Sequence, residues 1–241
     1  GDDTIVGNEA ANYINSGDGA DSIIAGAGND TVEFGATDTV DLGAGLDTLR
    51  MSVAGTSVDF STLADNLFVG VEEIDLLNAS AQSLVLDFAD VVALSDSTDI
   101  LKIHGDVNDS VSLKGNWVED GTQPVSYNGG PAVQYKKLYL TEGDSTAVVL
   151  AHPDIALAIE FVGSIAADTL TGGGGDDTLS AGGGNDTVSG EDGADTLLGE
   201  GGDDNLIYDA DDESVDGGEG NDTLAVADNA SNVVIDFTSP S

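Results

Sequence analysis

Two residue types recur with a period of nine along this chain, and that recurrence limits the fold more than any other feature. In the C-terminal third, acidic residues stand at Asp168, Asp177, Asp186, Asp195, Asp204, Glu213 and Asp222. Two residues after each comes an aliphatic: Leu170, Leu179, Val188, Leu197, Leu206, Val215 and Leu224. A second array opens the chain, with Asp3, Asn12, Asp21, Asp30, Asp38 and Asp47 at the polar position and Ile5, Ile14, Ile23, Val32, Val40 and Leu49 at the aliphatic one. The step from Asp30 to Asp38 is eight, so one turn is shortened there. Fixed short periods belong to solenoids, whose units cannot bury a core alone. An acidic linker would have no reason to keep aliphatic residues in register.

Each unit reads as a six-residue turn and a three-residue strand. Glycines in the turn permit backbone conformations closed to other residues. In a strand such as "TLS" the middle side chain points inward and its neighbours outward. Two units then make a coil of 18 residues, and stacked coils form two parallel sheets around a thin aliphatic core. Burying one Leu or Val contributes about 2 kcal/mol. That is well short of the conformational entropy lost on ordering nine residues. Stacking also brings carboxylates together. Something besides burial has to hold the coils.

The units "GGGGDDTLS" and "GGEGNDTLA" fit G-G-x-G-x-D-x-U-x at every position, and "AGGGNDTVS" misses only the first glycine. This pattern resembles the calcium-binding nonapeptide repeat of RTX (haemolysin-type) proteins. The resemblance implies an all-β fold, a parallel β-roll with several Ca2+ ions in its turns. Carboxylates and carbonyls are hard oxygen ligands suited to calcium, whereas zinc would call for His or Cys. Residues 18 apart fall on one side of the roll, so ions are expected between turns of adjacent coils. The expected pairs are Asp168 with Asp186, Asp186 with Asp204, Asp204 with Asp222, Asp177 with Asp195, Asp3 with Asp21, and Asp30 with Asp47. Glycines expected to turn carbonyls toward the metal are Gly173, Gly175, Gly182, Gly184, Gly193, Gly202, Gly218 and Gly220. Asp195 with Glu213 is a lesser pair, because "YDADDESVD" (208–216) has lost its glycines. Ala10 and Ala36 likewise replace fourth-position glycines, and Asn12 replaces an aspartate.

Composition narrows the partners. The formal net charge is −41, with five basic residues. Nucleic acid binding needs a basic face that releases counterions, and anionic membranes ask for the same; neither is expected. There is no cysteine, hence no disulfide or thiolate site. No apolar run reaches the roughly 18 residues of a transmembrane segment. The chain opens inside a repeat, as expected of a piece of a larger protein, and shows no signal-peptide pattern. Its end, "SNVVIDFTSPS", resembles a final strand.

The arrays occupy 1–49 and 163–241. Between them, 50–162 differs: every basic residue, both His and Trp117 lie there. Runs such as "GVEEIDLL", "SLVLDF", "DILKIHG" and "STAVVLAH" read as strands, and "ADVVALS" as one or two helical turns. "GDVNDSVSL" (105–113) echoes the repeat, with Asp109 and Val111 in place. Two readings stand for this middle segment, an irregular continuation of the solenoid or a small β domain. The run from Gly70 to Trp117 also resembles a segment found beside RTX repeats in large bacterial surface adhesins.

No catalytic signature appears. His104 and His152 form no H-E-x-x-H motif, and there is no G-x-S-x-G elbow. Glu72 and Glu73 read as solvated charges, since adjacent strand residues face opposite ways. Lys136 and Lys137 read as an exposed strand edge. Trp117, Tyr127, Tyr135 and Tyr139 read as packing residues, the alternative being a face that stacks on a sugar. The expectation is therefore a non-enzymatic calcium-binding module of a secreted or surface-attached bacterial adhesin, exported by type I secretion and folding on calcium outside the cell. The alternatives are an accessory region of a secreted enzyme or toxin, and a lectin-like module whose middle segment binds an extracellular glycan or protein.

Overall fold

The computed structural model describes residues 1–35, 37–51, 57–64, 66–76, 81–95, 99–142 and 145–226. Ala36 and the C-terminal run "SNVVIDFTSPS" lie outside the described residues. The chain divides into two compact units, Gly1–Leu157 and Ala158–Ser241.

The second unit is a parallel β-roll. Thr169–Gly174, Thr187–Asp192, Asn205–Tyr208 and Thr223–Val226 form one parallel sheet. Glu160–Val162, Thr178–Ser180, Thr196–Leu198 and Ser214–Asp216 pair in parallel as the other. The aliphatic positions align across the coils: Leu170 opposite Val188 opposite Leu206, and Leu179 opposite Leu197 opposite Val215. Leu179, Val188 and Leu197 are fully buried. Val215 is half-buried and Leu224, on the last described strand, is exposed. The core is one side chain wide, as the three-residue strands require.

The first unit begins the same way. Thr4–Asn8, Ser22–Gly26, Thr39–Asp41 and Phe68–Val69 form one parallel sheet, aligning Ile5, Ile23, Val40 and Phe68. Tyr13–Asn15, Thr31–Glu33, Thr48–Arg50, Glu73–Asp75 and Ile100–His104 form another, aligning Ile14, Val32, Leu49, Ile74 and Ile103. The eight-residue step does not break the register. It is absorbed in the turn before Asp38, where the Gly35 N–H donates to Asp38 Oδ2 at 2.7 Å.

Beyond Arg50 the coils lengthen. Leu49 and Ile74, then Ile74 and Ile103, are sheet neighbours although far more than 18 residues apart. The extra chain forms a third parallel set, Ser57–Asp59, Ser83–Leu86 and Ser110–Lys114. It also forms the helix Phe88–Leu94, closed at its start by a reciprocal Asp87–Asp90 capping box. Phe34, Phe60 and Phe68 fill the widened interior, with ring centroids 5.1–6.2 Å apart. The sheet of Ile100–His104 then adds Ser145–Ala151 in parallel, followed by antiparallel Val133–Glu142 and Val118–Val125. Val133–Glu142 thus has neighbours on both sides, which corrects the placing of Lys136 and Lys137 on a strand edge. Lys137 Nζ lies 2.6 Å from Asp120 Oδ2 instead.

Candidate metal centres

The repeated aspartates are joined coil to coil by their own side chains. Each carboxylate Oδ1 accepts the backbone N–H of the matching residue one coil earlier. The Asp168 N–H donates to Asp186 at 2.8 Å, Asp177 to Asp195 at 2.8 Å, Asp186 to Asp204 at 2.9 Å and Asp204 to Asp222 at 3.1 Å. In the first array the Asp3 N–H donates to Asp21 at 2.8 Å and Asp30 to Asp47 at 2.7 Å. All six expected pairs are therefore adjacent, with each carboxylate against its partner's backbone. A second ladder on the outside of the turns was not read from the sequence. There the fifth-position Asp176, Asn185 and Asp203 accept from Ala194, Asp203 and Asn221 of the next coil.

The second carboxylate oxygen sets the chemistry. Asp21, Asp30, Asp47, Asp186, Asp195 and Asp204 are all buried, and the Oδ2 of each is shut from solvent with no hydrogen-bond partner. A buried carboxylate without compensation is strongly unfavourable. Burial outweighs the backbone N–H on Oδ1 and pushes the Asp47 carboxyl up to about 6, and it raises Asp195 as well, whereas at Asp21 the Asp3 N–H prevails and holds the carboxyl below its ordinary value. Asp168 shows the contrast. Its Oδ2 accepts the Ser164 N–H at 2.6 Å and hydroxyl at 2.8 Å, and these donors hold its carboxyl below the usual range. Asp38 Oδ2 is likewise satisfied, by Gly35.

The glycines shape the space around these oxygens. A Cβ on Gly190 would lie 2.0 Å from Asp195 Oδ2, and one on Gly199 2.5 Å from Asp204 Oδ2. The first glycine of the repeat thus leaves room for the carboxylate. The glycines expected to turn carbonyls inward, Gly173, Gly175, Gly182, Gly184, Gly193, Gly202, Gly218 and Gly220, all have positive φ. Gly202 also packs so closely that a Cβ would sit 1.5 Å from the Gly184 carbonyl oxygen. Among the described residues no three His, Cys, Asp or Glu side chains cluster as a metal site. A cation here would be held by carboxylate oxygens together with the turn carbonyls. That all-oxygen donor set fits calcium. Asp3 and Asp222, on the outermost described coils, are exposed.

The ladder continues past the repeats. The Asp47 N–H donates to Glu72 Oε2 at 2.8 Å, and the Gln82 N–H to Asp109 Oδ1 at 3.0 Å. Glu72 and Glu73 are both buried, which corrects their reading as solvated charges. The spacing that finds them is the repeat's own: Glu72 stands two residues before buried Ile74, as Asp109 does before Val111.

In the middle segment buried acids meet cations from the protein. Arg50 Nε lies 2.7 Å from Asp75 Oδ2, which also accepts the Tyr127 hydroxyl at 2.8 Å. Glu73 faces Lys102 Nζ at 3.1 Å and His104 Nε2 at 3.3 Å. Burial pushes the Glu73 carboxyl up, but His104 and Lys102 outweigh it and hold it below its ordinary value. His104 is fully buried, stacked on Tyr127 at 3.8 Å, with Nδ1 2.7 Å from the Tyr135 hydroxyl. Burial and the nearby Glu73 push the Tyr135 phenol up to about 12. Trp117 is buried too, its indole N–H donating to the Lys114 carbonyl at 3.1 Å. Trp117 and Tyr135 are packing residues and present no face to a sugar.

Comparison with known families gives four overlapping or separate matches to the RTX calcium-binding nonapeptide repeat, over residues 1–32, 162–197, 180–212 and 189–224. They fall on the two arrays and leave the long-coil segment out. No curated protein matches the chain.

Proposed function

We propose, from the premise that this chain carries RTX calcium-binding nonapeptide repeats in two arrays, that it is a structural module of a secreted or surface-attached bacterial adhesin whose repeat arrays are set by calcium outside the cell. The calcium-binding character follows from the repeats. The observation that supports calcium as the folding trigger is the set of buried Oδ2 atoms on Asp21, Asp30, Asp47, Asp186, Asp195 and Asp204 that meet no donor. When bound, calcium supplies the positive charge those oxygens lack. The chain's own residues do the rest: Oδ1 ties each coil to the one before, the first glycine makes room for the carboxylate, and the aliphatic column excludes water.

Metal binding that completes a site absent from the unfolded chain is coupled to folding. Extracellular calcium modules work at about 10⁻⁴–10⁻³ M, so the arrays would stay open at cytosolic calcium. We read the module as non-enzymatic. The buried His104–Glu73 pair lies inside a packed sheet and serves stability. Among the described residues no helix is long and apolar enough to cross a membrane.

Far-ultraviolet circular dichroism during a calcium titration tests this reading. The expected result is a cooperative gain of β signal between micromolar and millimolar calcium, reversed by chelator. A spectrum independent of calcium would refute it.

A further inference from the structure

The repeat turns fall into two kinds, separated by the backbone at their second position. Asp21, Asp30, Asp47, Asp186, Asp195 and Asp204 each keep a partnerless Oδ2. In every one of these turns the residue four before the aspartate lies at positive φ: Gly17, Gly26, Gly43, Gly182, Glu191 and Glu200. Glu191 at φ 71° and Glu200 at φ 67° hold this conformation although a Cβ makes it unfavourable. The conformation therefore belongs to the turn and not only to glycine.

Two full-length turns depart from it. Asn8 and Ser164 stand at the same place without positive φ, and so do Ala10 and Ala166 at the fourth position. Their N–H groups serve the turn itself. The Ser164 N–H donates to Asp168 Oδ2 at 2.6 Å, the Ser164 hydroxyl to the same oxygen at 2.8 Å, and the Ala166 N–H to Ser164 Oγ at 3.1 Å. In turn 7–12 the Asn8 N–H donates to Asn12 Oδ1 at 3.0 Å and the Ala10 N–H to Asn8 Oδ1 at 2.8 Å. A carboxylate oxygen offers about two acceptor sites, and Asp168 Oδ2 fills both from its own turn. Asn12 carries no charge. Neither turn holds the buried, unpaired anion that asks for a cation elsewhere.

The C-terminal array starts from such a turn. The Asp168 N–H donates to Asp186 Oδ1 at 2.8 Å. At the other corner of the same coil the ladder leaves from buried Ile159, whose N–H donates to Asp177 Oδ1 at 2.6 Å. Both ladders of the roll thus begin on groups that need no metal. Two residues after Ile159, buried Phe161 sets the bulkiest side chain of this core opposite Leu179.

We infer that turns 7–12 and 163–168 close without a cation, and that coil 159–168 is the metal-free anchor against which calcium sets the coils that follow. The inference rests on the reading of the positive-φ turns as cation-bound. It adds which turns take no ion, and why: the N–H of the second residue occupies the oxygen that a cation would take.

The test restores G-x-G before Asp168 with the double variant Ser164→Gly, Ala166→Gly in the full chain. Calorimetric calcium counting should find one ion more than in wild type, and the calcium midpoint of the array's dichroism should rise, because the anchor then needs metal too. An unchanged count would overturn the rule for the turns, and an unmoved midpoint would overturn the anchor. If the variant fails to fold in calcium, a long-wavelength anomalous map of wild-type crystals decides. Ions beside Asp186 and Asp204 with none touching Asp168 Oδ2 or Asn12 Oδ1 support the inference. An ion on either of those two oxygens overturns it alone, whereas no ion anywhere in the arrays overturns the calcium reading and this inference with it.

Discussion

Replacing Asp186 by Asn separates the two jobs of a repeat aspartate. Asn keeps the side-chain oxygen that accepts the Asp168 N–H at 2.8 Å. It replaces the partnerless Oδ2 with an uncharged amide nitrogen. In calcium the variant loses an anionic ligand. If free calcium stands 100-fold above the dissociation constant, losing one site removes about 2.7 kcal/mol. For a unit of this size 1 kcal/mol moves the melting midpoint by roughly 4–8 °C, so a fall of roughly 10–20 °C is expected in saturating calcium. In chelator the sign reverses. Wild type then buries an uncompensated charge, which costs more than an unsatisfied amide, so the variant should keep as much β signal as wild type or more. Asp186→Ala, which also removes the hydrogen bond, should be weaker than wild type in both conditions. Paired thermal melts in calcium and in chelator are the assay. An Asn variant that melts with wild type in calcium, or that loses equally in both conditions, would refute the reasoning, because Asp186 would then be only a cap for a backbone N–H.

Three further outcomes follow from the same geometry. Gly190→Ala puts a methyl 2.0 Å from where Asp195 Oδ2 now sits; overpacking of this kind costs about 1–3 kcal/mol, so the calcium midpoint should rise roughly tenfold, and an unmoved midpoint would contradict the role given to the first glycine. Trp117 is the only tryptophan and is 1% exposed, in the segment whose acids pair with Arg50 and Lys102; its fluorescence should stay blue-shifted in chelator while the dichroism of the arrays is lost, and a red shift would show that this segment also depends on metal. Burial raises the Asp47 carboxyl from 3.8 to about 6. A raised folded-state value means stability that is present below pH 3.8 and lost as pH rises through 6. The metal-free chain should therefore gain structure when acidified from pH 7.5 to 5, and dichroism in chelator that does not change over that range would contradict it.

The arrays were legible because their information is local. A carboxylate two residues before an aliphatic, repeated every nine, fixes strand, turn and sheet neighbour together, and Ile23 opposite Val40 shows that even the shortened step keeps register. The middle segment hid its order because its coils lost the period. Glu72 and Ile74 keep the two-residue spacing, but the next coil's Ile103 lies too far along the chain for a fixed-period search. The antiparallel strand Val118–Val125 contains Gly121 and Pro124, residues that disfavour strands. The His104–Tyr135 contact joins residues 31 apart, and no sequence pattern announces it.

Hydrogen exchange resolved along the chain, in calcium and in chelator, tests most directly whether cations hold the arrays together. The account predicts that amides of Thr178–Ser180, Thr187–Asp192 and Thr196–Leu198 are protected in calcium and exchange within seconds once it is removed, while those of Ile100–His104 stay protected in both. Equal protection of the array strands with and without calcium would contradict it, because their thin aliphatic column would then suffice alone.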